Sequence, residues 1–209
     1  MICVSLAGLS FQECVKAISR TEFAEIRIDQ LDFSDDQFRG LFAIKSNTVA
    51  TCRPENIDTD RRLELLKAAI EAGAGYVDVE YESDEAYRQE LIAFAKANNS
   101  RVIISYHNFE ETPTAAELDE IITQSFEWGA DRVKLAVMAQ TPADCARIMG
   151  LYDNYSNLIA FCMGDIGAIT RVAAPLLGAD FTFAAYNRAK ATAPGQLTVE
   201  EFRDIYEIV

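Results

Sequence analysis

The 209-residue chain is half hydrophobic and a quarter charged, enough apolar material for one large core or two small ones without covalent staples. Its formal charge of -14 argues against a general affinity for nucleic acid or anionic membrane, both of which need a basic surface. A small anion held by a few local arginines remains compatible with it. The five cysteines form no CxxC and there is one histidine, a pattern of reduced thiols in a cytoplasmic protein rather than a disulfide frame or a zinc site.

The opening MICVSLAGLS has neither a basic leader nor a long apolar region, so no signal peptide is expected. No apolar run is long enough to span a bilayer. Short β-rich runs then recur in order: 2–7 (ICVSLA), 23–29 (FAEIRID), 48–53 (TVATCR), 75–81 (GYVDVEY), 101–106 (RVIISY), 132–137 (RVKLAV), 158–163 (LIAFCM) and 180–185 (DFTFAA). Between them lie stretches of helical period. LLKAAIEAGAG closes on glycine, as a helix stop should. TAAELDEIITQSFEWGA opens with Thr114 and Glu117, a capping-box spacing. TPADCARIMGLY has Thr141 as a cap and proline at the first helical position, and LTVEEFRDIYEI supplies the last helix.

Eight strands alternating strictly with eight helices imply parallel pairing through crossover helices. That fits a single (β/α)8 TIM barrel over residues 1–209. An open doubly wound sheet is the competitor, but no GxGxxG or Walker loop follows any strand.

Side chains two apart on a strand share a face. In FAEIRID this groups Glu25, Arg27 and Asp29 against Ala24, Ile26 and Ile28. The surrounding helices need the apolar side, so the charged face points into the barrel. Buried charges there are costly unless paired or in contact with a polar ligand. Asp78 and Glu80 share a face of the fourth strand, Ser105 and His107 one of the fifth, and the third run ends in Arg53. Lys134 sits mid-strand between Val133 and Leu135. Taken singly, a strand-end arginine is a common solvated or salt-bridged residue, a lone histidine a hydrogen-bonded one, and an interior lysine a partner for interior acids. Together, five consecutive strands aim ionisable groups at one cavity, the layout of a barrel active site.

A lysine among apolar groups holds its proton weakly, and nearby arginines push the same way. Its neutral amine can attack a ketone or aldehyde to form a Schiff base. The protonated imine acidifies the adjacent C–H, and one imidazole can take that proton and return it to a leaving hydroxyl. Elimination or carbon–carbon cleavage would follow. Further on, MGDIGAITR carries Arg171, which suits a carboxylate. NRAKATAPGQLTVEEF places Thr192 and Gln196 around a Pro194–Gly195 turn; by spacing alone that segment is only a turn and a helix cap.

With these segments in view, the chain resembles type I 3-dehydroquinate dehydratase along nearly its whole length. The likeness is carried in order by EIRID, VDVE, ISYHNF, DRVKLAVM, MGDIGAITR and TAPGQ. It implies a (β/α)8 barrel and syn loss of water from 3-dehydroquinate to give 3-dehydroshikimate, a shikimate-pathway step, with no metal or cofactor. It further implies Lys134 as the Schiff-base lysine and His107 as the proton-transfer group. Arg171 would hold the substrate carboxylate with Thr192 and Gln196, while Glu25, Arg27 and Arg53 would bind ring hydroxyls. Asp78 and Glu80 would be interior supports, and a homodimer is expected.

The chain departs from the family pattern in three places. After Arg53 it reads CRPENIDTDRR, without the family's glycine pair, and Ile57 falls where a glutamate that orients the histidine is usual. Glu55 or Asp58 can substitute, or the interaction is lost. Thr192 stands where serine is usual. An N-terminal hairpin cap across the barrel floor is expected to be lacking. Two other functions compete with the dehydratase. A class I aldolase would explain Lys134 but not TAPGQ. A ligand-binding sensor would explain the altered segment after Arg53 but has no need for both Lys134 and His107.

Overall fold

The computed structural model, which describes residues 1–55 and 57–208, lays the β-rich runs side by side as parallel strands with a helix after each. The order is β1 (Ile2–Leu6), α1 (Phe11–Arg20), β2 (Phe23–Arg27), α2 (Asp35–Ile44), β3 (Thr48–Thr51), α3 (Thr59–Glu71), β4 (Tyr76–Glu80) and α4 (Glu85–Ala97). It continues with β5 (Arg101–Asn108), α5 (Ala115–Glu127), β6 (Arg132–Met138), α6 (Pro142–Gly150), β7 (Leu158–Met163), α7 (Gly164–Leu177), β8 (Thr182–Ala185) and α8 (Val199–Tyr206). The strand order β7-β6-β5-β4-β3-β2-β1-β8 curls the sheet into a nearly closed (β/α)8 TIM barrel.

Helix starts follow the local chemistry read from the chain. Ser10, Ser34, Thr114 and Thr198 each accept the N–H three residues on, and each is answered by a glutamate or glutamine at that position. Helix α3 is capped by Asp58, whose Oδ1 accepts the Arg61 N–H at 3.0 Å.

The period-2 alternation sorts the barrel into layers. Val4, Leu6, Ala24, Ile26, Val77, Val79, Val102 and Ile104 face outward and pack with the helices in one core cluster. Val133, Leu135, Val137, Leu158 and Ala160 do the same around α5 and α6. Inside, the lowest layer is apolar: Cys3, Phe23, Val49, Tyr76, Ile103, Ile159 and Phe181 fill the floor. Phe23, Tyr76 and Phe181 meet edge to face there, and the Arg101 guanidinium lies 4.2 Å from the Tyr76 ring. The inward residues above this floor are the polar ones.

One seam remains. Among the described residues β7 and β8 share no ladder, and Phe161 and Phe183 meet across the gap with ring centroids 6.3 Å apart. Helix α7 lies very close to β7. A Cβ on Gly167 would fall 2.7 Å from the Cys162 carbonyl carbon, so only glycine permits the approach. Thr170 fastens the contact, accepting the Cys162 N–H at 2.7 Å and donating to the Gly167 carbonyl at 2.6 Å. One turn after Gly167, this brings Arg171 to the seam.

Two local expectations change. The second strand stops at Arg27, because the chain turns into a 3-10 segment over Ile28–Gln30. The third stops at Thr51, so Arg53 lies just beyond its end. All five cysteines are free thiols. No helix among the described residues is long and apolar enough to cross a membrane.

Candidate active site

Above the aromatic floor a cavity of about 290 Å³ opens toward the C-terminal ends of the strands, the end where barrel active sites lie. Glu25, Arg27, Arg53, Glu80, His107, Lys134, Arg171, Thr192 and Gln196 all line it. Of the residues singled out in sequence, Asp29, Asp78 and Ser105 lie behind the wall, Asp78 fully buried beside Arg53 and Lys134.

Register explains the grouping. Ser5 pairs with Glu25, Glu80 with Ser105, and Ser105 with Lys134. Glu80, Ser105 and Lys134 thus share one register row, with His107 two residues further along β5 on the same face. Lys134 is 5 % exposed. Its Nζ lies 4.1 Å from the Phe183 ring centroid and 3.9 Å from Asp78 Oδ2. Burial pulls the lysine below its ordinary pKa and the Arg53 and Arg27 cations add to this, outweighing Asp78 and Glu25.

His107 is likewise held well below the ordinary imidazole value, by burial first and then by Arg53, Lys134 and Arg27. The ring is therefore neutral at physiological pH. Its Nε2 lies 3.5 Å from Arg53 Nη2. A guanidinium only donates, so this contact is a hydrogen bond only in the tautomer whose Nε2 accepts.

Arg53 is the hub. It pairs with Asp78 Oδ1 at 3.1 Å and Glu80 Oε1 at 2.9 Å, and donates to Ser105 Oγ at 3.1 Å. Those two carboxylates overcome the effect of burial and raise its pKa. Ser105 in turn donates to Asp78 at 2.6 Å. Glu25 accepts from Ser5 at 2.7 Å and Thr51 at 3.0 Å. Burial pushes its carboxyl up, but Lys134 and Arg27 outweigh this and hold it below the usual range. Arg27 is gripped by Asp29 through two parallel bonds of 3.0 and 2.6 Å. The turn after β2 thus sets Asp29 beside the arginine, not two steps above it.

Arg171 differs from the other arginines. It is 1 % exposed, its Nε and Nη2 have no hydrogen-bond partner among the described residues, and its guanidinium lies 4.3 Å from the Phe161 ring. Burial lowers its pKa to about 10. An unpaired buried cation on a cavity wall is a ready partner for an anion.

The Thr192–Gln196 loop closes one side. Gln196 Oε1 accepts from the Thr192 N–H at 2.7 Å and its hydroxyl at 3.1 Å, and Nε2 reaches Ser5 Oγ at 3.5 Å. Gly195 has φ +69°, and a Cβ there would lie 2.4 Å from the Gly164 carbonyl oxygen. Only glycine lets the loop rest on the start of α7, where Gly164 donates to the Pro194 carbonyl at 3.2 Å. Gly195→Ala is expected to lift the loop and move Gln196. Ligand affinity should fall about tenfold, roughly one lost hydrogen bond to a charged group, with a smaller drop in melting temperature; calorimetric titration and a thermal melt check both.

Several functional side chains carried no usable sequence signal. Ser5 and Thr51 sit inward by the same alternation that exposed Glu25, but a hydroxyl on a strand is not distinctive. Arg62 comes from α3, reaching Glu80 Oε2 at 2.5 Å and the Cys52 carbonyl at 2.9 Å, and nothing in helical spacing announces that reach. Ala136, Phe161, Met163 and Phe183 supply an apolar wall. In the segment after Arg53, Asp58 is used up in capping α3, Ile57 packs on the core, and Glu55 lines the cavity mouth. No group of metal-ligating side chains is found among the described residues.

The sequence profile of the Type I 3-dehydroquinase family matches residues 2–209. A 3-dehydroquinate dehydratase of Desulfotalea psychrophila is 36% identical over 220 residues, covering 98% of this chain and 96% of that protein. One from Pyrococcus abyssi is 36% identical over 216 residues, covering 100% and 98%. The crystal structure of the 3-dehydroquinate dehydratase from Aquifex aeolicus superimposes with a TM-score of 0.83 at 28% identity, covering 100% of this chain and 98% of that one.

Proposed function

The chain belongs to the type I 3-dehydroquinase family of hydro-lyases, and from that premise we propose that it dehydrates 3-dehydroquinate to 3-dehydroshikimate through a Schiff base on Lys134. The observation that carries the mechanism is the weakly basic amine of Lys134 opening into the same cavity as the neutral ring of His107.

The amine of Lys134 adds to the ring ketone, and loss of water leaves a protonated imine. His107 takes the proton from the carbon next to the imine carbon, giving an enamine. The enamine expels the hydroxyl one carbon further on, and His107 returns the proton so that it leaves as water. Hydrolysis of the conjugated imine frees the product and restores the amine. One imidazole serves both proton transfers, which suits syn loss from a single face.

An anionic substrate is supported by Arg171, a buried guanidinium on the cavity wall whose Nε and Nη2 have no partner among the described residues; it takes the carboxylate, with Thr192 and Gln196 alongside. Glu25 and Arg27 bind ring hydroxyls. Arg53 joins them through its Nε–H, since its other donors go to Glu80, Ser105, Asp78 and His107. Asp78 and Glu80 support Arg53. The likeness to the family and the five free thiols underlie our placing the enzyme in the cytoplasm as a homodimer that needs no cofactor.

Arg171→Leu tests the carboxylate site. KM should rise about 10- to 100-fold, the worth of a charge-assisted hydrogen bond. Because the guanidinium is buried unpaired, its removal should leave the melting temperature unchanged or raised. An unchanged KM would remove Arg171 from the site.

A further inference from the structure

Arg53, the hub of the site, lies beyond the strand that leads to it. Strand β3 ends at Thr51, and its last paired residues are Thr51 with Arg27 on one side and Ala50 with Val77 on the other. Two residues past that end, the Arg53 guanidinium still meets Asp78, Glu80 and Ser105 at 3.1, 2.9 and 3.1 Å and stands 3.5 Å from His107 Nε2. An arginine is rich in rotamers, so a side chain at the free end of a strand keeps such a position only when a group outside the sheet fixes it.

Helix α3 supplies that group. Its first turn is anchored by the Asp58 cap, and the Arg62 N–H closes on the Asp58 carbonyl at 2.9 Å. Two adjacent arginines of this turn go different ways. Arg61 stays at the surface and pairs with Asp35 and Glu64. Arg62 is buried and turns inward. Its Nε donates to the Cys52 carbonyl at 2.9 Å and its Nη2 to Glu80 Oε2 at 2.5 Å. The Cys52 carbonyl belongs to the peptide that carries the Arg53 nitrogen. Glu80 is the carboxylate whose other oxygen accepts from Arg53 at 2.9 Å. One planar guanidinium thus grips Arg53 at its backbone and, through Glu80, at its side chain. A fork of fixed donors can do this where a single point charge cannot. Tyr87 from α4 covers the fork, its ring centre 5.0 Å away.

We propose that Arg62 is a positioning residue for the reaction, holding Arg53 against His107 by clasping both the peptide before Arg53 and its carboxylate partner Glu80. The consequence falls on the base. After burial, Arg53 is the largest cause that holds the ring below its ordinary value, ahead of Lys134 on β6 and Arg27 on β2. The carboxylates on the same cavity are Glu25 on β2, Glu55 after β3, and Glu80 and Glu82 at the end of β4, with Asp78 behind them. Without Arg62 the Arg53 cation is free to leave the ring, and one more positive charge is lost from its surroundings. Both changes favour the imidazolium, so the His107 pKa rises. This assignment rests on the dehydratase reading for its turnover half only.

His107 is the only histidine in the chain, so its ring carbon–hydrogen resonance needs no assignment. In the substrate-free protein, followed from about pH 4 to pH 8, Arg62→Met should move the ring titration up toward the ordinary imidazole value. Arg61→Met, one residue away, should titrate as the wild type does. Glu80 keeps Arg53 as its partner in Arg62→Met, so the fold should hold. A wild-type ring titration in folded Arg62→Met overturns the inference, whatever the substrate is. In turnover of 3-dehydroquinate, Arg62→Met should lower kcat about 10- to 100-fold, the scale of a small misplacement at the reacting centre, and carry the acid limb of the pH profile to higher pH. Arg62→Lys keeps the charge but cannot make both bonds, so it should also lose kcat; wild-type kcat and pH profile in Arg62→Lys overturn the positioning role even if Arg62→Met does not fold. Borohydride trapping on Lys134 in the same preparations reads the Schiff base separately. An adduct with unaltered kcat overturns the role of Arg62 and leaves the dehydratase intact, and if no adduct forms the ring titration alone decides the role of Arg62.

Discussion

Lys134→Ala should abolish turnover of 3-dehydroquinate, lowering kcat by about 10⁴-fold or more, the usual scale for removing a covalent nucleophile. The fold should survive. Lys134 is buried against the Phe183 ring and 3.9 Å from Asp78, and its ammonium is held there against desolvation. Alanine removes a costly charge together with some packing, and Arg53 still neutralises Asp78 at 3.1 Å. Arg171, Thr192 and Gln196 are untouched, so weak binding of the ligand should persist by calorimetry while steady-state turnover is lost. Near-normal turnover in this variant would rule out imine catalysis.

His107→Ala should behave differently. Lys134 keeps its low proton affinity because burial, the largest cause, does not depend on the ring. The imine should still form, slowly, since the imidazole also assists the proton movements of its formation. The steps beyond it should be slowed by about 10²- to 10⁴-fold, the range for a lost general base and acid. Rapid mixing followed by acid quench should then show covalent enzyme accumulating with little product. In the wild type, a ring held well below the ordinary imidazole value keeps its base form as pH falls through the usual histidine range. Loss of activity on the acid side should accordingly begin at a lower pH than a free imidazole would give.

Much of this site is written in period-2 alternation. Placing Glu25 and Arg27, Asp78 and Glu80, Ser105 and His107 on inward faces needs only the sign of each neighbour, because helices demand the apolar side. Lys134 between Val133 and Leu135 follows the same rule, and the structure sets all of these residues around or directly behind one cavity. An assignment that depends on tertiary reach is not legible in this way: Arg62 crosses from a helix to Glu80, which spacing within a single element does not announce. The pairing of Asp29 with Arg27 depends on a 3-10 turn that the charge pattern of FAEIRID does not distinguish from continued strand.

The central claim is covalent, and a covalent test meets it most directly. The enzyme is mixed with 3-dehydroquinate and borohydride, its intact mass is measured, and the adduct is mapped by peptide. The account predicts a single reduced adduct on Lys134, absent in Lys134→Ala. No adduct despite measurable binding, or an adduct on another lysine, would contradict it.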